Sequence, residues 1–245
     1  MSRARRRRSA PPSRNRGVLA GFLSLLGELL ITVGLVLGLF VAYSLWWTNV
    51  LADRHASAKG DAVREQWQRS PAPSDQKPAA PGALDTQGGI GFLHVPAMKN
   101  GEVLVKPGIA PDVLNDGVAG YYTEPVKSAL PWDAKGNFSL AAHRDGHGAK
   151  FHNIDKLRDG DAIVFETRDT WYVYKVFAEL RQTSKYNVDV LSPIPKESGR
   201  TVAGRYITLT TCTPVYTSKY RYIVWGELQR TEKVDGDRTP PAELR

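Results

Sequence analysis

The segment YITLTTCTP, residues 206–214, predicts a strand that ends beside a cysteine. Residues 206–211 are aromatic, β-branched or aliphatic side chains, or threonines, which suit a pleated and partly buried strand. Pro214 cannot donate to a strand ladder, so the strand ends just after Cys212. A thiol at the end of a strand, next to a loop, can face a cleft, which is where a nucleophile is useful.

Segments of the same kind recur between Gly89 and Glu232. Helical patterns there are scarce, with short candidates only at Pro111–Leu114 and Phe151–Leu157. A parallel α/β fold needs crossover helices. Seven or more strands with few helices therefore predict a mostly β fold, a closed or nearly closed barrel with short helices. The other strand candidates are Ile90–Val95, Val103–Val105, Asn137–Ala142, Asp161–Glu166, Trp171–Leu180 and Tyr220–Leu228.

The N-terminal region predicts one transmembrane helix. Residues 1–16 hold seven arginines and no acid, while the whole chain has a net charge of +8, so the rest is close to neutral. A near-neutral folded part disfavours a nucleic-acid-binding domain. Leu29–Leu51 has no charged side chain, and about 20 such residues cross a bilayer. The arginines predict a cytoplasmic N-terminus and an extracellular remainder.

These patterns divide the 245 residues into five parts. We expect a basic cytoplasmic tail at 1–17, a transmembrane anchor at 18–51, a juxtamembrane segment and Pro-rich linker at 52–88, the folded β domain at 89–232, and a frayed tail at 233–245. A cleaved signal peptide, ending near Ala56-Ser57-Ala58, is the alternative to an anchor. The apolar run is longer than the ~7–15 residues of a usual signal sequence, which favours the anchor.

Cys212 is the only cysteine, so the chain forms no internal disulfide. A lone thiol in an exported domain is a small buried apolar residue, a site of intermolecular pairing, or a reactive group. Export favours the reactive thiol, because a free thiol outside the cell risks oxidation without a compensating role.

A cysteine nucleophile needs a proton acceptor and a donor for the oxyanion. His143 ends the strand Asn137–Ala142, the same kind of position that Cys212 occupies. Arg221 lies nine residues after Cys212, and it reaches the same cleft if the two strands pair. Two other interpretations stay open: an ordinary surface arginine at 221, and a zinc site formed by histidines of the loop region, which are His143, His147 and His152.

The residues match a known family. TLTTC (208–212), followed by Arg221, resembles the TLxTC…R signature of sortases. NFSLAAHR (137–144) resembles the segment around the sortase histidine, with Ala142 where that family commonly has glycine. The resemblance covers roughly residues 89–230. TCTP and the segment GYYT (120–123) are most similar to class E sortases of high-GC Gram-positive bacteria.

The resemblance implies a sortase-like barrel and a cysteine transpeptidase with no cofactor and no metal. Cys212 would attack the Thr–Gly bond of a sorting signal of the LAXTG or LPXTG type and form a thioester. His143 would protonate the departing amine and deprotonate the incoming one, while Arg221 stabilises the oxyanion. Tyr122, with Tyr121 as the alternative, is expected to contact the residue where Ala replaces Pro. Thr211 is a further candidate donor near the oxyanion.

The implied partners are secreted proteins that carry a sorting signal, a peptidoglycan-precursor amine and the membrane, with no nucleic acid. The product is a protein joined to the cell wall. Two other functions remain open from the residues alone. One is an exported cysteine transpeptidase that acts on peptidoglycan stem peptides. The other is a tethered, non-enzymatic binding domain whose cysteine is inert.

Overall fold

A computed structural model describes residues 14–69 and 88–245 of the chain. The described residues divide between Leu45 and Trp46 into two compact units. Most of the predicted basic tail (1–17) and almost all of the predicted Pro-rich linker lie outside the described residues.

The first unit contains helix α1, Arg14–Ala42. Within α1, Ala20–Ala42 is 23 residues of apolar sequence whose most hydrophobic window has no buried residue. At 1.5 Å per residue this segment is about 35 Å long, enough to cross a bilayer core. A membrane anchor and a signal sequence share these properties. A π-helical turn at Tyr43–Trp47 and helix α2, Thr48–Arg69, follow.

The second unit is built around a closed barrel of eight strands in the order β1-β2-β3-β4-β7-β8-β6-β5, which confirms the predicted fold class. The pairs β2–β3 and β4–β7 are parallel, and the other pairs are antiparallel. The strands are β1 Gly91–His94, β2 Glu102–Pro107, β3 Ala119–Tyr121, β4 Gly136–Ala141, β5 Ala162–Glu166, β6 Thr170–Ser184, β7 Arg205–Thr213 and β8 Tyr220–Lys233.

The structure contains all seven predicted strands and adds one. The added strand, β3, has three residues and lacks the length that makes a strand visible in sequence. The helix α3, Pro111–Leu114, is present as predicted. The short candidate at Phe151–Leu157 is present as a single 3-10 turn at Ile154–Lys156. Strands β6 and β8 run further than predicted because the polar C-terminal end of each strand pairs with the beginning of the other.

The barrel core is filled from alternate positions of each strand, as the period of two requires. On β4, β7 and β8, the residues that point inwards belong to one buried apolar cluster. The intervening residues lie on the outer face of the barrel. The inward-pointing residues of these three strands include Phe138, Leu140, Ile207, Leu209, Tyr222 and Val224.

Two arginines, one in α2 before the barrel and one in the residues after β8, donate to the same buried carboxylate, Glu166. Arg64 of α2 donates to both of its oxygens at 2.9 and 3.1 Å, and Arg238 near the C-terminus donates to it at 3.1 Å. Burial alone would raise the pKa of Glu166, but hydrogen bonds from His94, Arg64 and Arg238 lower it to about 2. The residues at 233–245, which the sequence predicts to fray, are therefore partly held on the barrel.

Candidate active site

The candidate catalytic residues lie at the ends of three adjacent strands. Cys212 of β7 and Arg221 of β8 are direct cross-strand partners, and such partners have Cβ atoms about 5 Å apart. In the parallel pair β4–β7, Ala141 is the partner of Thr210. His143 and Cys212 each follow two residues later, so the two chains leave the sheet side by side. All three side chains stem from outward-facing positions of this sheet.

His143 is half-buried and is held by an asparagine that the sequence did not single out. Its Nε2 lies 2.9 Å from Oδ1 of Asn115, the residue that caps the C-terminus of α3. An amide oxygen only accepts, so Nε2 carries the proton and donates it to Asn115. This bond leaves Nδ1 as the ring nitrogen for proton exchange.

The surroundings of His143 favour its neutral form. Burial lowers the pKa of the imidazole, and the neighbouring His147 lowers it further, while Asp145 raises it. The His147 ring centroid lies 5.3 Å from that of His143. A neutral imidazole can accept a proton, so His143 is suited to act as a base at neutral pH.

Arg144 connects the His143 segment to the Cys212 segment. Its guanidinium is buried and donates to Oγ1 of Thr213 at 3.0 Å and to the carbonyl of Cys212 at 3.4 Å. It also forms an ion pair with Asp155 at 3.2 Å, which compensates the buried charge. In the sequence, Arg144 is recognisable only as part of the motif around His143. Its position shows that the residue after His143 fixes the backbone at the thiol.

The next residue, Asp145, holds the loop on the other side of Cys212. Its Oδ2 accepts a hydrogen bond from the backbone N–H of Tyr216 at 2.6 Å. Tyr216 lies in the loop between β7 and β8, four residues after Cys212. Arg144 and Asp145 together therefore tie the loop after His143 to the backbone on which Cys212 lies.

Arg221 is half-buried, and its guanidinium is directed at its own loop. Nη1 donates to the carbonyls of Ser218 and Tyr220 at 3.1 and 3.0 Å. A guanidinium has five N–H groups, so these two bonds leave donors for a further acceptor.

The two tyrosines of the GYYT segment lie on opposite faces of the barrel wall. Tyr121 packs against the barrel core, with its ring centroid 6.5 Å from that of Phe138. Tyr122 packs on the outer face, and its Oη lies 2.9 Å from Oγ1 of Thr210. Because the Thr210 hydroxyl donates to the carbonyl of Leu140, Tyr122 is the donor to Thr210. Burial raises the pKa of Tyr122, while its hydrogen bond with Thr210 and the positive charge of Arg221 lower it.

The side chain of Thr211 lies on the buried side of β7. Its Oγ1 donates to the carbonyl of Ala142 at 2.7 Å, and the residue is 3% exposed. The hydroxyl proton expected near the oxyanion is therefore directed at the backbone before His143. In this position Thr211 joins β7 to the segment that carries the histidine.

Two of the three histidines considered for zinc, His143 and His152, each direct one ring nitrogen at an oxygen acceptor. His143 donates from Nε2 to Asn115, as described above. His152 Nδ1 lies 2.8 Å from the carbonyl of Arg144, which can only accept, so this nitrogen is also protonated. Among the described residues, the group of three side chains whose ligand atoms lie close enough for a metal ion is His94, Glu102 and Glu166, and it includes none of these histidines.

Comparison with known proteins gives one consistent family. The model of the Sortase domain matches residues 93–229. Sortase SrtE2 of Streptomyces coelicolor is 68% identical over 229 residues, which cover 93% of this chain and 90% of the relative. Sortase SrtE1 of the same organism is 43% identical, covering 93% of this chain and 63% of the relative.

Solved structures give the same result for the barrel. Sortase E1 from Streptomyces coelicolor, solved with a tripeptide in the active site, is 45% identical with a TM-score of 0.60. Sortase E from Streptomyces avermitilis is 34% identical with a TM-score of 0.56. Each similarity covers 63% of this chain and 95% of the solved one.

Proposed function

Because this chain belongs to the sortase family of cysteine transpeptidases, we propose that it cleaves the Thr–Gly bond of an LAXTG-type or LPXTG-type sorting signal and transfers the protein to a cell-wall amine. The clients are secreted proteins that carry the signal, and the acceptor is an amine of a peptidoglycan precursor. The similarity to the Streptomyces sortases E supports the transpeptidase class.

In the first half of the reaction neutral His143 takes the proton of the Cys212 thiol, and the resulting thiolate attacks the carbonyl carbon of the signal's threonine. The carbonyl oxygen becomes an oxyanion, to which Arg221 donates. When the intermediate collapses, the C–N bond breaks and the glycine amine departs with a proton from His143. The product of this half is a thioester between Cys212 and the client protein.

In the second half the acceptor amine loses a proton to His143 and attacks the thioester carbon. A new C–N bond forms, the C–S bond breaks, and Cys212 leaves as a thiolate. The thiolate then takes the proton back from His143, so the enzyme returns to its starting state of thiol and neutral imidazole.

The pairing of Cys212 with Arg221 is the observation that carries this proposal. It sets the nucleophile beside a permanent positive charge on the same face of the sheet. The register of β4 with β7 supports the role of His143 in the same way. The guanidinium of Arg221 has to turn from the carbonyls of Ser218 and Tyr220 to reach an oxyanion, a movement of side-chain torsions alone.

The position of Tyr122 supports a preference for alanine over proline after the leucine of the signal. Since its hydroxyl proton is donated to Thr210, the oxygen of Tyr122 has only lone pairs to offer a substrate. A backbone N–H of alanine can donate to that oxygen, whereas proline has no N–H. A tripeptide lies in the active site of the Streptomyces coelicolor sortase E1 structure, which supports a peptide ligand here.

We further propose that α1 is an uncleaved anchor with its N-terminus in the cytoplasm and the barrel outside. The arginines that precede α1 support this orientation. The acceptor chemistry requires it as well, because the cell wall lies outside the membrane.

The test is the initial rate of cleavage of two peptides that differ only in Ala or Pro at the second position of the signal, with and without a glycine-like amine. We expect cleavage of both, a higher rate on the Ala form, and ligation when the amine is present. Cys212→Ala should abolish both reactions, and His143→Ala should reduce them by about 10²- to 10⁴-fold. Full activity of His143→Ala would contradict the assigned acid–base role.

A further inference from the structure

Helix α2, which leads from the membrane segment to the barrel, presents one stripe of residues to the second unit. The buried residues of α2 are spaced by three, four, seven or eight positions along this stripe, as the period of a helix requires. They are Ala52, Gly60, Val63 and Trp67. Most of the other residues of α2 are exposed, which is why its sequence does not resemble a packed helix.

The C-terminal half of α2 fastens the helix to the barrel wall. Val63 and Trp67 pack with Phe92, Leu104 and Val118 in an apolar cluster. Arg64 adds its ion pair with the buried Glu166 at 2.9 Å. This half of the helix holds α2 in place without touching the catalytic strand ends.

The N-terminal half of α2 contacts the loop that carries Asn115. Lys59, at the middle of the helix, forms an ion pair with Asp116, the neighbour of Asn115. The helix backbone comes so close to Gly117 that a Cβ there would lie 2.9 Å from the carbonyl oxygen of Ala52. Gly117 also has a φ of +74°, which favours glycine. The segment that orients the His143 ring is therefore pressed against α2.

The same half of α2 also contacts the loop that follows His143. Asn49 Oδ1 accepts from the backbone N–H of Gly148 at 2.9 Å, and Asp53 forms an ion pair with Lys150 at 2.8 Å. This loop closes on itself through the N–H of Phe151, which donates to the carbonyl of His143 at 3.0 Å. The two loops that determine the position of His143 thus share one support.

We propose that α2 is a brace that positions His143, with Asn49, Asp53 and Lys59 as its positioning residues. This inference rests on the proposed role of His143 as the acid–base group. Proton transfer depends steeply on geometry, so a catalytic side chain needs rigid support from its neighbours. With such a brace, the catalytic rate depends on α2, a helix that lies outside the barrel and follows α1 in the sequence.

The brace is tested in the full chain, purified in detergent, with the double substitution Asn49→Ala and Asp53→Asn. We expect kcat to fall by roughly tenfold, with KM unchanged. This is less than the loss of about 100-fold that follows when a catalytic group is misplaced by about 1 Å. The imidazole NMR signal of His143 should shift in the same variant, and this readout needs no substrate. The docking residues Val63, Arg64 and Trp67 are left intact so that α2 stays on the barrel.

The matched control is Asp61→Asn, an exposed carboxylate on the same helix with no hydrogen bond or ion pair to the described part of the chain. It should leave kcat and the His143 signal unchanged. Exchanging the charges of the Asp53–Lys150 pair, by Asp53→Lys with Lys150→Asp, should restore most of the rate that either single change loses.

Three results would overturn the brace: an unchanged kcat in the double variant, a reduced kcat with an unmoved His143 signal, or an equal loss in Asp61→Asn. A wild-type chain that cleaves no sorting-signal peptide would contradict the proposed function instead. In that case the imidazole NMR signal of His143 is the remaining test of the brace. An unchanged signal in the double variant would contradict the proposal that α2 positions His143.

Discussion

Cys212 and Arg221 face each other across the antiparallel pair of β7 and β8. Strand register alone sets the Cys212 and Arg221 side chains at neighbouring positions of the sheet, and this does not depend on the loop between the two strands. Register is fixed over the eight paired positions of these two strands, so the relationship is rigid. Because the two residues lie on different strands, the contribution of Arg221 can be tested by a substitution that leaves Cys212 unchanged.

Arg221→Lys keeps the positive charge and removes the fork of donors. We expect kcat to fall by about 10²- to 10³-fold, as for the loss of one oxyanion donor elsewhere, with a smaller change in KM. Single-turnover formation of the thioester is the measurement. Lys219→Ala, which removes a nearby exposed charge in the same loop, should have little effect. An Arg221→Lys enzyme with the wild-type kcat would remove the oxyanion role.

Asn115→Ala removes the hydrogen bond to His143 Nε2 and frees the ring to rotate. We expect kcat to fall by roughly tenfold or somewhat more, which is less than the 10²- to 10⁴-fold contribution of a general acid–base group itself. Asp112→Asn, on the exposed side of the same helical turn, is the control and should behave as wild type.

Asn115→Asp gives a second, independent readout of the same contact. Burial lowers the pKa of His143 in the native protein, and a carboxylate at 2.9 Å would raise that pKa by stabilising the imidazolium. The limb of the pH–rate profile that reports His143 should therefore move to higher pH. A profile identical to that of the wild type would mean that Asn115 does not contact the catalytic ring during turnover.

Tyr122→Phe removes the hydroxyl that we propose to accept from the alanine N–H. The expected loss in kcat/KM on the Ala peptide is about five- to tenfold, since one hydrogen bond contributes about 1 kcal/mol. The Pro peptide has no such N–H, so its rate should stay nearly constant and the preference should shrink. Tyr121→Phe is the comparison, and a loss of preference there rather than at Tyr122 would reverse the assignment.

Glu166→Gln tests the buried carboxylate that holds α2 and the C-terminal residues. A pKa of about 2, against an ordinary 4.5, corresponds to roughly 3 kcal/mol of folding stability. Because the folded pKa is lowered, this stability is complete above pH of about 4.5 and is lost as the pH falls towards 2. Chemical denaturation in detergent should show a lower free energy of unfolding for the variant at pH 7.

The same series at lower pH supplies the decisive comparison. The difference in the free energy of unfolding between the wild type and Glu166→Gln should disappear as the pH falls from about 4.5 to about 2. A difference that stays constant over this range would mean that the charge of Glu166 is not its cause. Glu65→Gln removes an exposed ion pair with Arg69 and should change little at any pH.

Much of the architecture could be predicted because its signals are local. β-branched and aromatic residues at alternate positions indicate strands, and seven of the eight barrel strands follow from them. The apolar run before residue 48 indicates a membrane-length helix. β3 was missed because three residues, one of them glycine, are too short for a pattern. The docking of α2 was missed because most of its side chains are polar and exposed.

The residues of the candidate site also fall into two groups, those that a local motif indicates and those that only long-range contacts reveal. Cys212, His143 and Arg221 are recognisable because each lies at a strand end within a short motif. Asn115 has no such context, and the contact of Arg144 with Cys212 joins residues 68 positions apart. Thr211 was expected to face the oxyanion, but strand parity directs its hydroxyl to the buried side of β7.

By itself, the sequence determined that the chain has an apolar helix of membrane length, a mostly β domain and a lone thiol at a strand end. Backbone propensity and the period of the hydrophobic pattern are local properties, so each strand or helix shows them within its own stretch of sequence. The tertiary structure alone decided which strands are neighbours, since barrel closure and the parallel register of β4 with β7 are set by packing the whole core. That packing brings Asn115, His143 and Arg144 to Cys212, and it fastens α2 beside them.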